Sequence, residues 1–303
     1  MGAVEPAIRS RVWRRVMQSS PQVARVTLAS VMVLAAVASA QTRKELRFTL
    51  GPKSTVAIVN QYGGISVKPS AGNVVVVLAT LGSDKVSIES SQNMNRLDLA
   101  SRLLPDASQV TGRVDYEVTV PFDSSVILQS ATGPLHAEKL RGDVDLEGVS
   151  APVDVRDISD VHVHVKTMSG PITLSNIRNG HVEIDSVSGD ITLNSVTGQE
   201  VRVSSTNGQI VYDGDFGYPG EYRLTSHTGN IEATFPENTS AEIKATSYRG
   251  KVQDDAHLQP KKHPSLSVSE GKSFVGTTLN TLNQAAASVW LKTFSGRIHL
   301  KKR

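Results

Sequence analysis

Four residues stand 19 apart in the chain: Asp143, His162, His181 and Glu200. Imidazole nitrogens and carboxylate oxygens are ligands for Zn²⁺ and Cu²⁺. A structural period of 19 residues would stack them on adjacent strands about 4.8 Å apart, close enough for the two histidines to share one ion. The positions two and four residues on continue the pattern as Asp145, His164, Glu183, Arg202 and as Glu147, Lys166, Asp185, Ser204. The plainer role of all three columns is a solvated ladder of alternating charges that supports strand pairing. A flat strand face also lacks the enclosure and supporting hydrogen bonds of a metal centre. The first column is therefore a candidate surface site only. No metal, catalytic or cofactor-binding residue is assigned, and no cofactor is expected.

Acids carry a second possible chemistry. Asp154, Asp157 and Asp160 lie close in sequence, as do Asp185 and Asp190. Two carboxyl groups about 5 to 9.5 Å apart can act as acid and base, or as nucleophile, on a glycosidic bond. Enzymes of that kind on parallel β-helices build a cleft from long loops. The turns here are short, so these acids read as turn and strand-surface residues. The chain has no Cys, which excludes a Cys nucleophile, a disulfide scaffold and Cys-ligated metal. It carries no nucleophile elbow, phosphate-binding loop, zinc-protease helix motif or dinucleotide fingerprint. The Gly- and Asp-rich nonapeptide of calcium-binding β-rolls is absent too.

The elements that would position these columns come from an internal repeat. Gly170-Pro171-Ile172-Thr173-Leu174 recurs as Gly189-Asp190-Ile191-Thr192-Leu193 and as Gly208-Gln209-Ile210-Val211-Tyr212. Gly133-Pro134-Leu135, Ala151-Pro152-Val153, Gly229-Asn230-Ile231 and Gly250-Lys251-Val252 extend the series at near-constant steps, and Gly296-Arg297-Ile298 follows after a longer one. Each period holds a second short run of alternating apolar residues, such as Val163/Val165, Val182/Ile184 and Val201/Val203. Strict alternation is the signature of strands, not helices. One such unit cannot bury its apolar side alone, whereas stacked units can. The expected fold is all-β: a parallel β-solenoid of two-strand coils. One core wall would hold Val153, Ile172, Ile191, Ile210, Ile231 and Val252. The facing wall would hold Val144, Val163, Val182, Val201, Tyr222 and Ile243. The Gly opening each unit fits a turn that needs positive φ or close backbone approach. The Ser, Thr or Asn before it (Ser169, Ser188, Asn207, Thr228, Ser295) fits turn hydrogen bonding.

The chain divides into a signal peptide at 1–40, an N-terminal β region at 41–125 continuous with the repeats, and the repeats at 126–303 with an insertion at 253–286. In the leader, Arg9, Arg11, Arg14, Arg15 and Arg25 precede an uncharged apolar run from Val26 to Ala38, closed by Ala38-Ser39-Ala40. That is the pattern of a cleaved export signal. The run falls short of the roughly 18 residues of a membrane span, so no span is expected after cleavage. The chain's net charge of +3 belongs to this leader, which carries five Arg against Glu5. The remainder is close to neutral and lacks the basic excess of a nucleic-acid binder.

The unit Ser188-Gly189-Asp190-Ile191-Thr192-Leu193, with the stretch from Tyr116 through Pro121 to Leu128 that introduces the repeats, resembles the bacterial putative-adhesin repeat family, much of it catalogued as a domain of unknown function. The resemblance covers roughly residues 110–252. It implies an envelope or secreted β-solenoid with no established catalytic residues. The expected function is thus that of an exported, non-catalytic binding scaffold, periplasmic, secreted or cell-surface, presenting flat faces to cell-envelope glycan or protein. The alternatives are an envelope-stress or signalling partner that binds a membrane protein through strand edges, and a polysaccharide-acting enzyme.

Overall fold

The computed structural model describes residues 42–217, 219–260, 273–278 and 287–303. The leader at 1–40 and most of the insertion lie outside the described residues. Those residues form an all-β structure with no helix, joined mostly by parallel pairing.

The strands are β1 (Thr42–Thr49), β2 (Thr55–Asn60), β3 (Ile65–Ser70), β4 (Val74–Leu81), β5 (Val86–Asn93), β6 (Arg96–Leu103), β7 (Val114–Pro121), β8 (Ser125–Ser130), β9 (Leu135–Glu138), β10 (Val144–Gly148), β11 (Val153–Ser159) and β12 (His162–Thr167). There follow β13 (Ile172–Ser186), β14 (Ile191–Ser205), β15 (Ile210–Asp213), β16 (Glu221–Ser226), β17 (Ile231–Phe235), β18 (Ala241–Ser247), β19 (Val252–Asp254), β20 (Gln259–Pro260), β21 (Ser273–Thr278), β22 (Ala287–Thr293) and β23 (Ile298–Lys302).

Alternation decides which side of each strand is buried. Val153, Ile172, Ile191, Ile210 and Ile231 are buried, as are Val144, Val163, Val182, Val201, Tyr222 and Ile243. Each such side chain contributes about 1.5–3 kcal/mol by leaving water. Val252, the last of its wall, is only partly buried against the core. Both walls continue into the N-terminal region, where Ile65 is in register with Leu135 and Val56 with Val126.

Identical positions of successive copies pair in parallel. His162 faces His181, which faces Glu200. Ile172 faces Ile191, which faces Ile210. Two ladders result. One runs β6, β2, β8, β10, β12, then 181–186 of β13, 200–205 of β14, β16, β22 and β18. The other runs β7, β3, β9, β11, then 172–178 of β13, 191–196 of β14, β15, β17, β23 and β19.

Spatial order departs from chain order at both ends. β2 and β3 sit between the 96–121 strands and β8–β9. The C-terminal pair β22 and β23 sits between β16–β17 and β18–β19, ahead of the copy that precedes it in sequence. The outermost pairings are antiparallel: β1 on β4, β4 on β7, β5 on β6, and β21 on both β18 and β20.

The turn between the two strands of a copy is held by a buried hydroxyl. Gly189 N–H donates to Ser186 Oγ at 3.1 Å, Gly208 to Ser205 at 2.9 Å, Gly229 to Ser226 at 2.9 Å and Gly170 to Thr167 Oγ1 at 3.0 Å. The residue just before each Gly bonds differently: Ser188 Oγ donates to the Met168 carbonyl of the previous copy at 3.0 Å. The Gly itself answers to close approach. A Cβ on Gly189 would lie 2.0 Å from the Gly170 carbonyl oxygen, and one on Gly208 2.1 Å from that of Gly189.

Candidate functional site

Parallel register brings all four residues of the predicted column into one row. The His162 and His181 rings lie 5.1 Å apart, inclined by 60°. His181 Nε2 is 3.5 Å from Glu200 Oε2. Asp143 Oδ1 accepts the His162 backbone N–H at 3.1 Å. Each carboxylate is engaged apart from the rings, since Glu200 also holds Arg202 at 2.5 Å. Among the described residues, no group of three or more His, Cys, Asp or Glu has the geometry to hold a metal ion. The neighbouring column behaves alike: His164 Nδ1 meets Asp145 Oδ1 at 3.2 Å, and Arg202 reaches Glu183 at 3.9 Å. These are charge ladders on a solvated face.

The acids proposed for glycan cleavage do not converge. Asp157 and Asp160 have φ of 55° and 61°, and their successors one copy on, Asn176 and Asn179, have 56° and 52°. Asp and Asn tolerate this left-handed region better than other side chains. Asn176 Nδ2 donates to Asp157 at 3.0 Å and Asn179 Nδ2 to Asp160 at 3.2 Å. Both acids are therefore bend residues. Asp190 accepts the Gln209 N–H at 2.9 Å, whereas Asp185 faces Lys166 and Ser204 in register. Asp154 belongs to another cluster.

That cluster was not anticipated. His136 Nδ1 lies 3.1 Å from Asp154 and its Nε2 lies 3.5 Å from Glu138. Arg156 closes on Asp154 at 2.8 Å and Lys68 on Glu138 at 3.4 Å. Burial works against the Glu138 carboxylate, but Lys68 and Lys139 outweigh it and hold its pKa below the ordinary value. The signal was present in the repeat, since His136 and Asp154 occupy one position of adjacent copies. Lys68 required knowing that β3 lies beside β9.

A second grouping arises because β22 enters between β16 and β18. Trp290 then faces Arg223 on one side and Lys244 on the other. Arg223 lies over the Trp290 ring at 5.1 Å, Lys292 over Tyr248 at 5.4 Å and Arg249 over Phe294 at 4.7 Å. Phe294 stacks on His227 with ring centroids 4.9 Å apart. Elsewhere, a cleft of about 340 Å³ is lined by Pro52, residues 70–73 and 121–123, and Arg141, whose guanidinium stands 5.9 Å from the Phe122 ring.

Residues 82–301 match the Toastrack DUF4097 model. The chain belongs to the Toastrack DUF4097 family. No curated protein matches it. Among solved structures it is similar to a putative adhesin from Bacteroides fragilis, with 12% identity over 88% of this chain and 100% of that one and a TM-score of 0.47. It is similar also to a putative adhesin from Parabacteroides distasonis, with 9% identity over 86% and 97% of the two chains and a TM-score of 0.37. A putative cell adhesion protein from Clostridium sporogenes matches at 11% identity over 86% and 100%, with a TM-score of 0.27. In the Toastrack DUF4097 chain described here, the columns, the bends and the aromatic grouping all follow from one parallel register.

Proposed function

We propose that this protein is an exported, non-catalytic binding scaffold of the cell envelope, its copies wound as a β-solenoid, that presents its outward faces to envelope glycan. The observation that carries this reading is the parallel register itself. It converts single surface residues into straight columns, such as 143, 162, 181 and 200, at the spacing of neighbouring strands. A surface of that kind suits many weak polar contacts along a repeating partner, and its area grows with each copy. The leader directs it to the envelope, as periplasmic, secreted or surface protein.

The test is co-sedimentation of the full chain with purified cell envelope and its polysaccharide fractions. Saturable binding to a glycan fraction supports the reading. Failure to bind every fraction overturns it.

A second reading has one specific observation in its favour. Among the described residues β5 pairs only with β6, which leaves its outer edge open over eight residues. An open edge can accept an extended segment of a membrane-protein partner by strand addition. Crosslinking at Ser91 that captures one envelope protein would support this partner role.

A further inference from the structure

We infer that the end of the outward face around Trp290 is a binding site for an acidic polysaccharide. This rests on the glycan reading above and assigns it a place and a charge class.

The site is made by the displaced C-terminal copy. With β22 between β16 and β18, one outward column runs Arg202, Arg223, Trp290, Lys244. The next outward position adds Lys292, and the adjoining turns add Tyr248, Arg249 and Phe294. Four cations (Arg223, Lys244, Arg249 and Lys292) are interleaved with three aromatic rings. Three of the cations stand over rings at 4.7–5.4 Å. Such contacts fix long side chains that would otherwise lose conformational freedom on meeting a ligand. Among the described residues, Lys244, Arg249 and Lys292 have no ion-pair partner. The carboxylates on these strands are Glu221, bonded to Arg223, and Glu242.

The sign of charge reverses along two columns of the same face. Toward β10 the equivalents of Arg223 and Lys292 are Asp145 and Glu147, and on β13 Glu183 and Asp185, whereas the column through Asp143 stays acidic as Glu200, Glu221 and Glu242. A cationic end on a near-neutral chain is thus a local feature, and it selects an anionic ligand. Neighbouring strands lie about 4.8 Å apart, roughly the span of one pyranose ring. A uronate polymer lying along the column would therefore meet Arg223, Trp290 and Lys244 with successive sugars. Carboxylates would face the cations, and the sugar ring would lie beside the exposed edge of Trp290.

Two other anionic partners fit less well. A bilayer needs apolar side chains projecting past the charges, whereas Trp290 is only 37% exposed and lies beside Arg223. Nucleobases need free ring faces, and the faces of Trp290 and Phe294 already carry guanidinium groups.

The chain has two tryptophans, Trp13 and Trp290. In the full chain carrying Trp13→Phe, indole emission reports this patch alone. Titration with polygalacturonate should change the Trp290 emission saturably, with affinity falling as salt rises, while neutral dextran leaves it unchanged. The double substitution Arg249→Gln/Lys292→Gln, on exposed side chains, should weaken binding at least tenfold and leave the circular dichroism spectrum of the folded chain unaltered. Unchanged affinity in the double variant would move the site elsewhere and overturn this inference, yet leave the glycan reading intact. Emission changes with anionic vesicles or a single-stranded oligonucleotide, but not with polygalacturonate, would overturn it in favour of those ligands. If the unsubstituted chain binds no polysaccharide, both readings fall.

Discussion

Replacing Gly189 by Ala tests the idea that glycine is required for close approach between copies. The added Cβ would stand 2.0 Å from the Gly170 carbonyl oxygen and 2.7 Å from its carbon, with backbone of residue 169 also within reach. The neighbours are main chain, so no rotamer change relieves the overlap. The turn must retreat by about 1 Å, beyond the range over which packed contacts keep their energy. That movement strains three bonds: Gly189 N–H to Ser186 Oγ at 3.1 Å, Ser188 N–H to Met168 at 2.9 Å and Val187 N–H to Thr167 at 3.2 Å. At about 1 kcal/mol for each bond, the loss is about 3 kcal/mol. In a chain of this size that corresponds to roughly 6–12 °C in melting temperature. Gly72→Ala is the matched control, because nothing lies within 4 Å of its added Cβ. It should be neutral, or stabilise by about 0.4–1 kcal/mol through the unfolded chain. Urea unfolding of both variants followed by circular dichroism decides the matter. If Gly189→Ala loses under about 1 kcal/mol, or if the two variants behave alike, close approach is not why glycine stands there.

Other outcomes follow from the same geometry. Ser205→Ala removes the buried acceptor of the Gly208 N–H and should cost about 1–3 kcal/mol in urea unfolding, whereas Ser204→Ala, on the outward side, should stay within about 0.5 kcal/mol. Asp255 is held below its ordinary pKa of 3.8, first by the hydrogen bond with His299 and next by that with Gln253. A lowered carboxylate pKa adds stability above the unfolded value that is lost as pH falls through the folded one. Carbon-detected NMR titration should place the Asp255 midpoint below 3.8, and His299→Ala should move it upward; no movement would discount the contact. Equimolar Zn²⁺ should leave the melting temperature unchanged, and a rise abolished by His162→Ala/His181→Ala would turn the charge ladder into a metal site.

Much of this architecture was legible because strand burial leaves a period-two trace and stacking leaves a fixed step. The step of 19 residues from 143 to 200 places four side chains in one row, and the alternating runs name both core walls. What escaped depended on contacts that no step records. Turn hydrogen bonding is expected at Ser169, Ser188 and Asn207, but Thr167, Ser186 and Ser205 accept from the glycines. A hydroxyl that turns inward to bond a glycine three residues on is indistinguishable in sequence from one that faces water. Asp157 and Asp160 looked like paired acids, since nothing in composition distinguishes a carboxylate that tolerates positive φ from one poised for chemistry. The Trp290 grouping was hidden for a topological reason. Its neighbours Arg223 and Lys244 come from copies that are consecutive in the chain, and a repeat read in order leaves no gap between them.

That inserted copy also constrains how the molecule is made. Among the described residues, strands β18 and β19 find their parallel partners only in β22 and β23, at 287–302. Synthesis from the N-terminus therefore cannot complete the ladder copy by copy. Residues 241–254 must wait, with their apolar side unsheltered by a parallel neighbour, until residues 287–302 arrive to slide in ahead of them. Pairings that join distant parts of a chain are slow to form, and here the two partners are separated by the whole segment from 255 to 286. A chain stopped near residue 286 would not be one plank shorter at its end; it would be missing a plank from within.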